Sequence, residues 1–501
     1  MRAWSRWVVL GVAVVGCTPS PVLRWPSDRD PSVARAAATP DVPKVPPVRP
    51  LDAIIRRALA ENRAVRSARL NVEALRYRIP QVTALEDPMV SNTIFPIPSV
   101  APQFSLMGYM PYDVMIAQQF PWFGTLRLRG RAAEGDVAVA IAELAEAQLD
   151  VVADVKSAYH DLAYAQRADA ILEENRTLAA EFVEVARERF KTGNASQTDV
   201  LRAESTLTDI DRERERNQLN LVAARADLAR LTHDDPEAEY QVEILPPRED
   251  IPVEVDRLYQ LALAARPDLR GGLATIARDE TAVALALKRF KPDLSVGLVY
   301  QQMERRNAVS PTAGGMPNVG LFVGFTLPVY RTRLAAGVLE AQTRVAADVA
   351  SYEADRDQTL RDVKDALTRA RVQRNVLELL RESNLPRARQ IFQSATADYR
   401  AGNEGADYLS LLNAWREVLQ IELQIAQVEA ELGKAMAALE LAVGTQLNEH
   451  PPDPTAHAPT ERVERPRDAR HVDESVSAEA RPPARPGGRP DPSSERTPLN
   501  Q

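Results

Sequence analysis

The sequence predicts a mainly α-helical chain with a small β part, made of two copies of one unit. Three observations carry this expectation. The central region has a helix-forming composition, its motifs return after about 200 residues, and each copy holds a pair of alternating apolar segments.

The chain is 45% hydrophobic and 26% charged, an ordinary balance for a folded protein. Aromatic residues make up 5%, which excludes a large aromatic core. Residues 130–445 are dominated by Ala, Leu, Glu, Arg, Gln and Asp, most of them good helix formers. The net charge is −8 and the two signs are interspersed, so no basic stripe for nucleic acid is present.

The repeat is explicit. Ala58-Leu59-Ala60 returns as Ala262-Leu263-Ala264, and Pro88 as Pro292. Phe120-Pro121-Trp122-Phe123 returns as Leu327-Pro328-Val329-Tyr330. Phe190-Lys191-Thr192-Gly193-Asn194 returns as Tyr399-Arg400-Ala401-Gly402-Asn403. The offset grows from 204 (58 to 262) to 209 (190 to 399), as small loop insertions produce. The copies span 51–232 and 256–447, joined by a proline-bearing connector at 233–255.

Each copy opens on a helix, expected at 51–78 and 256–289. A pair of extended segments follows. In the second copy Leu294, Val296, Leu298 and Tyr300 alternate with Ser295, Gly297, Val299 and Gln301, and Val319 to Leu327 repeats the pattern. In the first copy Tyr112, Val114, Ile116 and Phe120 alternate, whereas Met89 to Phe95 is irregular. Segments of about 9–11 residues fit tilted membrane strands with one face to lipid. An ordinary hairpin packed on a soluble core fits the same pattern. No stretch after residue 17 holds the ~20 apolar residues of a membrane helix, so any span must use strands.

A very long helical pattern comes next, over 126–191 and 334–401. Ile141, Leu144, Gln148, Val151, Val155, Ala158 and Leu162 keep a 3-4 spacing, the seam of a coiled coil. About 65 residues at 1.5 Å each make roughly 100 Å, longer than a compact domain requires. Gly-Asn breaks the pattern, and a final helix runs to about Leu231 and Val443. Four strands per chain cannot close a membrane barrel, which needs about eight, so membrane strands imply an oligomer.

The ends differ. Arg2 and Arg6, then Trp7 to Val15, then Val14-Val15-Gly16-Cys17 form a signal peptide over 1–16 and resemble a lipobox with lipidation at Cys17, the one cysteine. A plain cleaved signal with an incidental cysteine is the alternative. Residues 17–50 read as a proline-rich linker and 448–501 as a disordered Pro/Arg-rich tail.

The motifs resemble the TolC family of outer-membrane efflux proteins over about 51–447. They are Arg266-Pro267-Asp268-Leu269, Lys291-Pro292-Asp293-Leu294-Ser295, Leu327-Pro328-Val329-Tyr330, and Arg189-Phe190-x-x-Gly193 with Asp199-Val200-Leu201-x-Ala203-Glu204. Gln119-Phe120-Pro121-Trp122-Phe123-Gly124 resembles the heavy-metal-efflux branch. The resemblance implies a homotrimer that pools four strands per chain into a 12-stranded transmembrane β-barrel, continuous with an α-helical barrel. It implies outer-membrane lipid around the strands, a periplasmic adaptor at the tips, and an inner-membrane RND or ABC pump supplying energy to a passive exit duct of an efflux or type I secretion system.

Position by position, the resemblance places Gly193, Asn194, Gly402 and Asn403 at the adaptor-docking tips, where glycine also ends a helix. It places Asp199 and Tyr399 at an entrance latch linking neighbouring coils; a solvated Asp and a packed Tyr is the bland alternative. The family's entrance aspartates align near Tyr408 and Leu411, and the adjacent Asp407 is the substitute acidic residue.

Enzymatic constellations are missing. His160, His233, His450, His457 and His471 have no His or Cys partner at zinc spacing, and no Walker loop or nucleophile elbow occurs. His160 reads as a lumen or packing residue, and Arg212-Glu213-Arg214-Glu215-Arg216 as a solvated, salt-bridged helix face. No cofactor is expected. The rival to the channel is a periplasmic coiled-coil scaffold or adaptor lipoprotein; a helical-repeat lipoprotein enzyme ranks below both.

Overall fold

A computed structural model describes residues 48–94, 109–193, 195–244, 250–252, 254–304, 317–401 and 408–447. The signal peptide, Cys17, nearly all of the linker and the tail lie outside them.

In chain order the elements are β1 (Val48–Arg49), α1 (Leu51–Glu61), α2 (Arg63–Thr83), β2 (Met89–Ile94), β3 (Tyr109–Phe120), α3 (Thr125–Lys191) and α4 (Gln197–Thr232). Then come β4 (Gln241–Val242), α5 (Val255–Ala265), α6 (Pro267–Lys288), β5 (Leu294–Glu304), β6 (Asn318–Phe325), α7 (Arg331–Leu379), α8 (Leu385–Ala401) and α9 (Tyr408–Val443). The duplicated order is the expected one. Ala58 and Ala262, equivalent in the two copies, are both fully buried.

The opening helix of each copy is two helices, a correction to the sequence reading, and each break has a local cause. Asn62 takes extended backbone, and its Oδ1 accepts from the Ala64 and Val65 N–H groups at 2.9 and 3.4 Å. Its Nδ2 donates to the Leu231 carbonyl at 3.2 Å. In the second copy Pro267 stands at the first helical position of α6, lacks an N–H, and drives Arg266 out of helical geometry. Arg266 grips Asp268 with two nitrogens and donates to the Ala442 carbonyl at 3.4 Å.

The second long helix is also interrupted, at a π turn over Leu380–Asn384. Pro386 follows in the first turn of α8. It can donate nothing to the carbonyl four residues back, and its ring crowds that carbonyl; a wider turn relieves both. In the first copy α3 runs unbroken for 67 residues, about 100 Å.

Near the sheet α2, α3, α6 and α7 lie side by side; farther away α4 and α9 take the places of α2 and α6. Small residues permit this close array. The upper half of α3 buries Gly130, Ala133, Val137 and Ala140, whereas Ile141 is 45% exposed. The seam therefore sits one residue from its expected place there, because α3 packs small side chains against helices on both flanks. Lower down, Val151, Val155, Ala158 and Leu162 are buried as expected. A polar tie joins α2, α3 and α6: Asp136 receives Arg78 at 3.3 Å and Arg278 at 3.5 Å, and Arg278 also holds Asp279 at 2.7 Å.

The strands form one antiparallel sheet in the order β2-β3-β5-β6, and β1 pairs β4 in a short parallel bridge. The β3–β5 ladder joins the two copies, with Ile116 opposite Leu298 and Phe120 opposite Leu294. The register gathers Val90, Ile116, Leu298 and Leu321 in one row, and Phe120, Leu294 and Phe325 in another. That face is apolar. The other holds Ser295, Gly297, Gly320 and Gly324, and a Cβ on Gly297 would stand 2.6 Å from the Ile116 carbonyl oxygen.

His160 is a packing residue. Its ring lies edge-on to Tyr159, with centroids 5.9 Å apart, and fills the space above Gly433 of α9. A Cβ on Gly433 would stand 2.4 Å from the ring. Gly433→Ala should therefore cost about 1–3 kcal/mol of stability, read as a lower melting temperature, and pairing it with His160→Ala should restore part of the loss.

Burial lowers the His160 pKa to about 4; Asp161 opposes the shift, and Lys156 and Lys434 assist it. A histidine held below its ordinary 6.5 gives its stability in full above that value and loses it as pH falls through about 4. The amount is up to about 3 kcal/mol. Melting temperatures measured across this window should fall with acidification, and His160→Phe should flatten the slope.

Candidate functional site

Of the site residues expected from the sequence, Gly193, Asp199 and Tyr399 are described, and they lie at or near the ends of the hairpin helices. At the first tip α3 ends on Lys191, and Gly193 adopts φ 77°, where a Cβ would be strained. The Gly193 N–H donates to the Phe190 carbonyl at 3.0 Å, and the Thr192 hydroxyl to the Arg189 carbonyl at 3.0 Å. Ser196 then caps α4. Its Oγ accepts from the Asp199 N–H at 3.2 Å, and Asp199 Oδ2 accepts from the Ser196 N–H at 3.0 Å. This reciprocal capping box commits the Asp199 carboxylate to starting α4.

Asn194, Gly402, Asn403 and Asp407 lie outside the described residues. Tyr399 and Tyr408 flank the second tip, 8% and 4% exposed, with ring centroids 5.8 Å apart. The Arg189 guanidinium, from the first hairpin, lies 4.2 Å from the Tyr399 ring centroid. Both phenol hydroxyls are buried, and neither has a hydrogen-bond partner among the described residues. Burial, then Tyr399, then Asp199, push the Tyr408 pKa up to about 12, against the pull of Arg416.

Asp199 and Tyr399 thus share a neighbourhood but no hydrogen bond: Asp199 is engaged by Ser196, and the Tyr399 hydroxyl has no partner among the described residues. Tyr408 and Leu411, at the aligned aspartate positions, are core residues in the same apolar cluster. Sequence reasoning missed that Tyr408 joins the hairpins, and it missed Trp415 below. Trp415 is fully buried, donates to Asn175 Oδ1 at 2.9 Å, and meets Phe182 edge-on. The seven-residue interval from Tyr408 to Trp415, which puts both on one helical stripe, was the available signal.

Salt bridges brace the first hairpin. Arg187 meets Glu184 at 2.8 Å and Glu204 at 2.7 Å, and Arg176 meets Asp211 at 2.7 Å. The charged run on α4 is solvated as expected, with Arg212–Asp209 at 3.0 Å and Arg216–Glu213 at 3.3 Å. Arg214 departs from that pattern by crossing to Asp169 and Glu173 of α3. Among the described residues no group of three His, Cys, Asp or Glu side chains is placed to hold a metal ion. None of their helices is long and apolar enough to cross a membrane.

A duplicated array of helical hairpins carrying a small antiparallel sheet with one apolar face defines a class of protein with known relatives. The profile of the outer membrane efflux protein family matches residues 54–232 and 258–445, one segment in each copy. The chain belongs to that family, and it resides in the outer membrane.

It is 24% identical over 325 residues to the cobalt-zinc-cadmium resistance protein CzcC of Cupriavidus metallidurans, covering 64% of this chain and 74% of that one. It is 22% identical over 429 residues to nodulation protein T of Rhizobium leguminosarum biovar trifolii, covering 79% and 86%. The fold is similar to the outer membrane protein VceC of Vibrio cholerae, at TM-score 0.65 and 19% identity over 79% of this chain and 97% of that one. It is also similar to CusC, at TM-score 0.66 and 17% identity over 79% and 92%.

Asp199 and Tyr399, the pair expected at a latch, should separate experimentally. Asp199→Ala removes the capping box and should cost about 1 kcal/mol, seen as a lower melting temperature. Tyr399→Phe removes a hydroxyl without a partner among the described residues and should leave that temperature unchanged or raise it.

Proposed function

We propose that this chain is the passive exit duct of a tripartite export system, acting as a homotrimer. Three copies contribute four strands each to a twelve-stranded barrel, and their helices continue it as a tunnel through the periplasm. The observation that carries this reading is the sheet. Its apolar face is open to the surroundings, with Leu298, Leu321 and Phe325 each at least 60% exposed, and its edge strands β2 and β6 lack an outer neighbour among the described residues. Open strand edges cannot stand in lipid, so further copies must complete the ladder. A soluble hairpin, as in the scaffold or adaptor reading, would cover that face with core.

In this reading the tips around Gly193 and Gly402, with Asn194 and Asn403, meet the periplasmic adaptor, and an RND or ABC pump in the inner membrane supplies the energy. A lipid on Cys17 anchors the chain to the outer membrane. The latch pairs the Tyr399 hydroxyl with an acceptor on a neighbouring coil, Asp199 being the aligned candidate and Asp407 the nearby acidic residue. The buried, unpaired Tyr399 hydroxyl supports this, since such a group costs about 1–3 kcal/mol until it finds an acceptor. Similarity to a cobalt-zinc-cadmium resistance protein favours divalent metal ions as cargo.

Conductance of the purified protein in planar bilayers tests the duct. Wild type should conduct weakly, and Tyr399→Phe should conduct several-fold more without loss of thermal stability. This variant isolates the latch, whereas Asp199→Ala also frays α4. Absence of any current from folded protein, together with release by alkaline carbonate, would remove the strands from the membrane and restore the scaffold reading.

A further inference from the structure

We propose that the foot of the sheet, where strands meet helices, is a docking collar for anionic phospholipid headgroups of the adjoining leaflet. This inference rests on the reading that the strands span the membrane. Phe120, Leu294 and Phe325 close the apolar face at this end. Beyond them the chain exposes Phe123 by 83%, Leu327 by 71% and Tyr330 by 73%. Large side chains so exposed on a folded surface mark a contact site, and aromatic rings continuous with an apolar strand face suit the border between hydrocarbon and headgroups.

Cations lie directly below this apolar rim. Arg127 and Arg131 are on the first turns of α3, Arg331 and Arg333 on the first turn of α7, and Arg289 and Lys291 in the link from α6 to β5. All six are exposed, and none has a carboxylate partner among the described residues. The carboxylates of this layer are few and partly engaged. Glu86 faces Arg129 at 3.8 Å, and Asp293 accepts from the Trp122 N–H at 2.9 Å; Asp87 and Glu134 are the others. One layer farther from the strands the charges are matched, as Asp136 with Arg78 and Arg278 shows.

The cation surplus is therefore local. The chain as a whole carries a net charge of −8, so composition does not explain six cations without a described carboxylate partner around the junction of strands and helices. A ring of guanidinium and ammonium groups just outside an aromatic rim complements phosphate bearing a net negative charge. Phosphatidylcholine, whose choline cancels its phosphate, lacks that complement.

Spin-labelled phospholipids report which lipid contacts the protein. The full chain is reconstituted in phosphatidylcholine vesicles, and the immobilised fraction is compared for labelled phosphatidylglycerol and labelled phosphatidylcholine. Wild type should favour phosphatidylglycerol by about fivefold or more, falling toward one in high salt. Replacing the six cations with glutamine should abolish the preference while both lipids stay immobilised, and Arg331→Gln with Arg333→Gln alone should reduce it. Equal association of both lipids with wild type, or a preference unchanged in folded variants, overturns the collar. If neither lipid is immobilised, the strands are not in the bilayer and the membrane reading itself fails, taking the collar with it.

Discussion

Backbone hydrogen bonding governs this architecture more than any side chain does. Inside each long helix every interior N–H is satisfied along its own chain, so α3 can extend for 67 residues without help from a globular core. The sheet has no such independence. Its central ladder joins the two copies through β3 and β5, while β2 and β6 have one side unpaired among the described residues. A chain with complete helices and an open sheet is one part of a larger assembly in this reading, and its apolar face suits a hydrocarbon surrounding better than water. The proposed homotrimer answers that imbalance by supplying further strands to the open edges.

The helical part depends on the opposite of a large-residue core. Buried alanines and glycines on α3 let neighbours approach from both sides, which turns a coiled-coil seam into a broad wall. His160 seated over Gly433 is the same device with a larger side chain, a ring on one helix matched by a missing Cβ on the next. Large residues are kept for the joints. Tyr159 and Tyr240 hold the connector region, and Tyr399, Tyr408 and Trp415 hold the tips, where the two hairpins must meet in one geometry.

Repetition left the copies alike in plan and different at their hinges. Asn62 and Arg266 with Pro267 break equivalent helices by unrelated chemistry, one through a side-chain cap and one through a missing donor. Pro386 gives the second long helix a π turn that α3 lacks. The tip and collar differ in the same spirit: one withholds a partner from a buried hydroxyl, the other from exposed cations, and both leave the single chain chemically unfinished.

By itself the sequence determined the duplication, the kind and order of the elements, and which strand face is apolar, because these follow from periodicities of two and 3.6 and from punctuation by Gly, Pro and Asn. It also marked Gly193 as a helix stop, a property local to one residue's φ. Only the tertiary structure decided the rest. The partners of β3, the one-residue offset of the α3 seam at Ala140, and the meeting of Tyr399 with Arg189 all depend on which surfaces come together. Residues as far apart in sequence as Arg189 and Tyr399 meet there through packing, and no local pattern encodes packing.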